Sequence, residues 1–310
     1  MKIKRTAKVL SAYEFMKKFN TEEKALKFLE DTIWKGGVFC HHCKSKEVSK
    51  KIKKTGFRRC RKCRKEFNVR TKTIFHRSKI ELSKWLYASY LLQTARKGVS
   101  SLQLSKQIGV TQKTAWFMLH RLREACKNGG GLLSGNVQVD ETWFGGLSKN
   151  KHKSKLKKEK SWKESKSMVQ GMRSGNKVKT KVIKEASKLE LQGNIIDNVK
   201  EGSKVMTDEA MHYHTLDKRF IHLTTHHATN QYVNEETGAT TNAIESVWAL
   251  MKRGHKGVYH HFSPKHLQRY LEEFNFRLDK GNCEIDTMDR VKSLVQGATD
   301  KRLTYEKLTK

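Results

Sequence analysis

Residues Thr241–Gly254 read TNAIESVWALMKRG. Without Gly or Pro until Gly254, the stretch predicts a helix. Ile244, Val247, Trp248 and Met251 recur at helical spacing and mark the side that faces a core. Asn242, Glu245 and Lys252 lie three and seven residues apart and share another side. A carboxylate and an ammonium on one helix face can bind a metal ion and a phosphate, although such a pair is commonly just solvated. Two upstream segments that also end in acids favour the metal-binding reading: VQVDE, ending at Glu141, and KVMTDE, ending at Glu209.

Around the helix the pattern is α/β. Val137–Asp140 reads as a short strand. Met168–Met172 and Lys177–Ile183 read as two strands joined by a hairpin turn at Ser174-Gly175-Asn176. Leu189–Val199 is partly helical, Lys204–Thr207 is a strand ending at Asp208, Ala210–Leu216 is helical and Phe220–Thr224 is a last strand. This order fits a mixed sheet flanked by helices, the RNase H-like fold. It would set the first two acids side by side on adjacent strand ends and bring the third on the helix.

Cleaving or joining a phosphodiester requires an activated oxygen nucleophile and a stabilised leaving oxyanion. Two divalent cations about 3.5–4 Å apart provide both. Mg²⁺ favours hard oxygen ligands and few protein groups, with Mn²⁺ as a substitute. Asp140 is expected to bridge the two ions, Asp208 to hold one and Glu245 the other, with Lys252 on a phosphate. Neighbours on a strand point to opposite faces, so only one acid of each pair Asp140/Glu141 and Asp208/Glu209 can serve.

Upstream, Cys40-His41-His42-Cys43 and Cys60-Arg61-Lys62-Cys63 are separated by sixteen residues. Two such knuckles can place four thiolates around one Zn²⁺, a closed and therefore structural site. The short β-prone runs between them, turning at Thr55-Gly56, suggest a zinc ribbon. Arg58, Arg59 and Lys62 at the second knuckle are candidate DNA contacts. Further on, Ser101–Gln107, then Ile108-Gly109-Val110, then a longer helix from Thr111 have helix-turn-helix grammar. Gln112, Lys113 and Thr114 in its first turn would face a major groove. Arg253 and Lys256 complete the expected DNA contacts.

The charge balance agrees. Lys and Arg number 65 against 31 Asp and Glu, a net charge of +34. Such an excess points to a polyanion, with nucleic acid ahead of a membrane surface. No run of about 18 apolar residues exists to span a bilayer. The opening MKIKRTAKVL lacks the apolar stretch of a secretory signal, so a cytoplasmic location is expected. Cys126 and Cys283 have no close partner and read as core or free thiols.

Four motifs carry a resemblance to a known family: VDETWFGG at 139–146, VMTDEAMHYHTL at 205–216, TNAIESVWALMKRGHKGVYHH at 241–261 and SPKHLQRYLEEFNFR at 263–277. With the zinc ribbon ahead of them, they resemble the DDE-type transposases of bacterial insertion sequences, the ISXO-like group, over roughly residues 25–280. The resemblance implies an RNase H-like catalytic domain, Mg²⁺ dependence and double-stranded DNA as partner, both element ends and target. Asp140 and Asp208 match the family's first two acids. Asn242 and Glu245 both stand where the third ligand is placed; Glu245 is the stronger Mg²⁺ ligand, and Asn242 remains a ligand or substrate contact. Homo-oligomers on DNA follow from handling two ends together, on the bacterial nucleoid. The other reading is a DNA-binding regulator derived from a transposase and no longer catalytic.

The expected organisation is a helical segment over 1–35, a zinc ribbon over 36–75 and a helix-turn-helix-like region over 76–128. The catalytic domain spans 132–280 with a Lys-rich insertion at 148–166, and a tail follows at 281–310. Within the catalytic domain, Gly257–His261 reads as a loop, and Ser263-Pro264 as the cap and first residue of a further helix. Lys265, His266, Arg269 and Arg277 on that helix offer phosphate contacts or a solvated face.

Overall fold

The computed structural model describes residues 7–50, 52, 56–127, 130–146, 166–208, 211–213, 216, 218–225, 233–234, 237–280 and 285–310. Its elements are α1 (Ala12–Lys18), α2 (Glu22–Ile33), β1 (Arg58–Arg59), β2 (Glu66–Phe67), α3 (Leu82–Thr94), α4 (Ser101–Ile108), α5 (Gln112–Cys126), β3 (Asn136–Phe144), β4 (Ser167–Ser174), β5 (Lys177–Ile183), α6 (Lys188–Asn198), β6 (Lys204–Thr207), β7 (Ile221–Thr224), α7 (Asn242–Gly254), α8 (Leu267–Lys280), α9 (Thr287–Gln296) and α10 (Tyr305–Thr309). They fall into two units. The ribbon unit comprises Met1–Asn128 and Lys280–Lys310, and the sheet unit Gly129–Asp279.

In the ribbon unit, local chemistry sets the helix ends. Ser11 and Glu14 form a reciprocal capping box at α1, and the Thr21 hydroxyl accepts the Lys24 N–H at α2. Glu22 reaches beyond its own helix: one carboxylate oxygen accepts the Leu82 N–H at the start of α3 (2.6 Å) and the other pairs with Arg70 (2.8 Å). Between α4 and α5 the chain turns through Gly109, left-handed at φ +64°, where a side chain would be strained. Thr111 then caps α5 by accepting the Thr114 N–H (3.2 Å), a bond worth about 1 kcal/mol. The described residues 285–310 are more than a tail. Thr73 bridges Thr299, the Ile74 N–H donates to the Ala298 carbonyl (3.1 Å), and α9 buries Val291, Leu294 and Val295 within this unit.

In the sheet unit the strands lie in the order β5-β4-β3-β6-β7. β3, β4 and β5 are antiparallel, whereas β6 runs parallel to β3 and β7 parallel to β6. Alternation along β3 separates two cores. Val137 and Val139 meet Leu191 and Ile195 of α6 on one face. On the other, Val169 and Val178 meet Ile244, Val247, Trp248 and Met251 of α7 and Leu271 and Phe274 of α8. The edge strand β5 is covered by α8: Gln268 accepts the Val182 N–H and donates to the Thr180 carbonyl, and Asp279 accepts the Val178 N–H. That shields the edge from foreign strands.

Several expectations are corrected. β3 continues four residues past Asp140, because β4 stays paired with it as far as Phe144↔Ser167. The helix expected over 210–216 is, where described, a 3₁₀ turn at Met211–Tyr213. Gly257–His261 is not simply a loop, since α7 runs on as a π-helical turn over His255–Tyr259. Ser263 precedes Pro264 at a helix start, but its side chain makes no capping bond. Arg277 is neither a phosphate contact nor solvated: it is buried and paired with Glu273, which also accepts the Tyr259 hydroxyl. The Lys-rich insertion, apart from Lys166, and Thr55, Glu209 and Cys283 lie outside the described residues.

Candidate active site and metal centre

The four ribbon cysteines converge. Their Sγ atoms all lie within 4.8 Å of one another, with Cys40–Cys63 at 3.7 Å and Cys43–Cys60 at 3.6 Å. A Zn–S bond of about 2.3 Å implies tetrahedron edges of about 3.8 Å, so the cluster fits Zn²⁺. Each knuckle turns a backbone N–H onto a sulfur, His42 N onto Cys40 and Cys63 N onto Cys60. Burial pushes the Cys40 thiol up to about 11, while that N–H of Cys63 helps bring Cys60 down to about 7; a bound cation would take all four as thiolates. His41 packs among Trp34, Phe39 and Phe67, and burial holds its pKa down at about 4. Neither it nor His42 belongs to the sulfur cluster, as the spacing of the cysteines suggested.

In the sheet unit the register decides what meets what. Parallel pairing of β3 with β6 ends at Gln138↔Met206. Asp140 and Asp208 each lie two residues beyond that last pair, and the charge of Asp208 bears on Asp140. Helix α7 is docked beside them by three side chains. Gln138 accepts the N–H groups of Ala243 and Ile244 (2.8 and 3.1 Å), occupying donors that the helix itself leaves unpaired. Arg173 donates to the Ala243 carbonyl and the Ser246 hydroxyl. The Trp248 indole N–H donates to Asp140 Oδ2 at 2.9 Å.

Glycine makes the last contact possible. Gly171 is the register partner of Asp140. A Cβ on it would come within 2.5 Å of two Trp248 ring carbons, closer than packing allows. Trp248 read from the sequence only as a core residue; its N–H contact to Asp140 had no signal in helical spacing.

Asp140 is half-buried, and its pKa is raised chiefly by that burial. The Glu141 backbone N–H and the Trp248 N–H counter the shift, and the charges of Asp208 and Glu245 add to it. Both other carboxylates therefore bear on Asp140, although among the described residues only the cysteines draw together within 4.8 Å. Their donor set, hard oxygens with Asp140 central, suits Mg²⁺. On α7, Asn242, Glu245, Lys252 and Arg253 are exposed.

Glu141 points to the opposite face. It accepts the Tyr213 hydroxyl, and Tyr213 in turn accepts from Gln170 Nε2 (2.8 Å), whose Oε1 accepts from Asn194 (2.7 Å). Burial pushes the Glu141 carboxyl up to about 7 and also raises the Tyr213 hydroxyl. Sequence reading missed this buried chain of polar groups.

The expected DNA contacts occupy varied settings. Arg58 is half-buried over Trp34 (5.7 Å), and Arg59 is exposed while donating to the Arg64 carbonyl. Lys62, Gln112, Lys113 and Lys256 are exposed, whereas Thr114 is half-buried. Arg253 is exposed and donates to the Ala249 carbonyl.

A mixed five-stranded sheet with helices on both faces is consistent with an RNase H-like domain, here joined to a zinc ribbon. Residues 132–279 match the family model described as the ISXO2-like transposase domain, and residues 20–66 match the transposase zinc-ribbon domain. The chain thus carries an ISXO2-like transposase domain behind a transposase zinc ribbon. It is 27% identical, over 84% of its length and 92% of the relative's, to an uncharacterized protein in transposable element ISH50 of Halobacterium salinarum. A chain of the simian T-cell lymphotropic virus intasome, solved in complex with PP2A regulatory subunit B56 gamma, aligns over 62% of this chain and 65% of that one. Its identity is 13% and its TM-score 0.28, too low to bear on fold or function. Among the described residues no helix is long and apolar enough to cross a membrane.

Proposed function

We propose that this insertion-sequence transposase binds the terminal inverted repeats of its element, cuts a phosphodiester at each end and joins the freed 3′-hydroxyl to target DNA. The observation that supports the reading is the β3–β6 register, whose last pair lies two residues short of both Asp140 and Asp208, with the Asp208 charge bearing on Asp140 beside α7. Asp140 would bridge two ions, Asp208 would hold one, and Glu245, with Asn242 as the alternative, would hold the other. Bound Mg²⁺ would supply Lewis-acid stabilisation and a more acidic attacking oxygen. Lys252, two turns beyond Glu245 on the same helix face, would hold a phosphate oxygen. Gln112, Lys113 and Thr114 at the start of α5, with Arg58, Arg59 and Lys62 of the ribbon, would hold the element's ends, and Arg253 and Lys256 the DNA near the acids. Two ends handled together call for at least two copies of the chain, acting on DNA in the cytoplasm.

The test is cleavage of labelled duplexes carrying the element's termini, with purified protein and Mg²⁺. Asp208→Asn is expected to lower cleavage and strand transfer at least about 10³-fold, in line with loss of a two-metal ligand, while binding stays within about twofold. Cleavage at the normal rate would reject the assignment. A wild-type chain that binds these ends and cuts nothing would be the regulator instead.

A further inference from the structure

The ribbon unit places cations where its backbone is least comfortable. Six described residues other than glycine have positive φ. Four are basic: Lys44 (φ 62°), Arg64 (58°), Lys72 (54°) and Arg77 (54°), all exposed. Glycine fits this left-handed conformation without strain, and Asn or Asp tolerate it best among the others. Exposed side chains contribute no core packing that would offset the strain.

Two of these residues share a neighbourhood with a third cation. The Lys72 N–H donates to His76 Nδ1 (3.3 Å), and Arg121 donates to the His76 carbonyl (2.7 Å), tying the turn at 72–77 to α5. The Thr73–Thr299 bridge brings the C-terminal segment alongside, with exposed Arg302 three residues on. The charges of Arg302, Arg77 and Arg121 all bear on His76, whose pKa is lowered first by burial and then by them. Lys44 pairs with Asp300. Among the described residues, Lys72, Arg77 and Arg302 form no ion pair.

Contacts lead from this cluster to both reading elements. Arg121 lies over the Phe117 ring (5.4 Å), Phe117 meets Tyr305 (5.6 Å), and the Tyr305 ring lies under the Lys113 ammonium (4.9 Å) in the first turn of α5. In the other direction, the Lys44–Asp300 pair reaches the first zinc knuckle. Like charges gathered without ion-pair partners of their own, partly on strained backbone, lower stability unless an anion neutralises them.

We infer that Lys72, Arg77 and Arg302 form a phosphate-binding strip joining the zinc knuckle to the first turn of α5, so that both lie along one continuous stretch of duplex DNA. This rests on the DNA-binding reading above. It adds a set of contacts beyond the two motifs and a role for the C-terminal segment.

The test uses the full, zinc-loaded chain, with an element-end duplex and a random-sequence duplex. Lys72→Gly and Arg77→Gly remove charge and backbone strain together, and Arg302→Ala removes charge alone. The glycine variants are expected to melt at or above the wild-type temperature. Each of the three should bind both duplexes about 3- to 10-fold more weakly, with the slope of log affinity against log salt reduced by about one. Unchanged affinity and slope would overturn the strip, and so would lost binding accompanied by a lower melting temperature, which would assign these residues to folding. A wild-type chain without salt-dependent binding to either duplex would instead overturn the DNA reading beneath it.

Discussion

Asp140 and Glu141 are neighbours on one strand, yet their environments differ in kind. Asp140 faces α7, half-buried, held by an indole N–H and sensing two other carboxylates. Glu141 faces α6, within a buried chain running through Tyr213 and Gln170 to Asn194. The side chain period of two separates them, and what packs on each face does the rest. The α7 side sets Asp140 beside the helix that carries Asn242 and Glu245. The α6 side uses an acid to tie the Met211–Tyr213 turn, just beyond Asp208, back to the central strand.

If the α6 face is structural, its largest cost comes from removing the partner of a buried carboxyl. Tyr213→Phe should lower the stability of the sheet unit by about 3 kcal/mol, measurable as the shift of its unfolding transition in the full chain. A shift near zero would mean that Glu141 finds another donor. Gly171→Ala probes the opposite face. The added methyl forces the Trp248 ring away from Asp140, with an expected loss of about 2 kcal/mol and weaker cleavage. Normal stability and cleavage together would show that the indole contact is dispensable. Trp248→Phe keeps most of the ring and deletes the N–H, so about 1 kcal/mol is expected, with a larger effect on cleavage than on DNA binding.

The smallest effect is a pH slope. Burial pushes the folded Glu141 carboxyl up to about 7 from an ordinary value of 4.5. Between those values the folded chain holds a proton that the unfolded chain has lost, so stability falls as pH rises through that window. Thermal melts from pH 5 to 7.5 without added divalent metal should show that decline in the wild type and a flatter profile in Glu141→Gln. Equal slopes would remove Glu141 as its source.

Much of this architecture is legible in the chain itself. The spacing of the cysteines picks out the four sulfurs that the fold draws together, because a thiolate tetrahedron needs little beyond two turns. The apolar stripe of α7 and the Ser174-Gly175-Asn176 hairpin are equally local. Long-range partners are not. Helical periodicity assigns Trp248 to a buried side but cannot say that its N–H meets Asp140. Nor does a half-exposed Gln138 on a strand announce that it will cap a helix more than a hundred residues away. Arg277 misleads for the same reason: a cation on an amphipathic helix looks solvated until its buried partner, Glu273, is in view. The packing of the 298–299 segment against Thr73 and Ile74 depends on backbone pairing that leaves no compositional trace.

The most direct measurement compares the two neighbouring acids in one reaction. Asp140→Asn and Glu141→Gln would be assayed in parallel, with Mg²⁺, for cleavage of labelled element ends at equal DNA occupancy. The account expects Asp140→Asn to lose cleavage by about 10³-fold or more, and Glu141→Gln to retain it within about tenfold because it acts only through structure. Undiminished cleavage by Asp140→Asn, or equal loss in both, would contradict it.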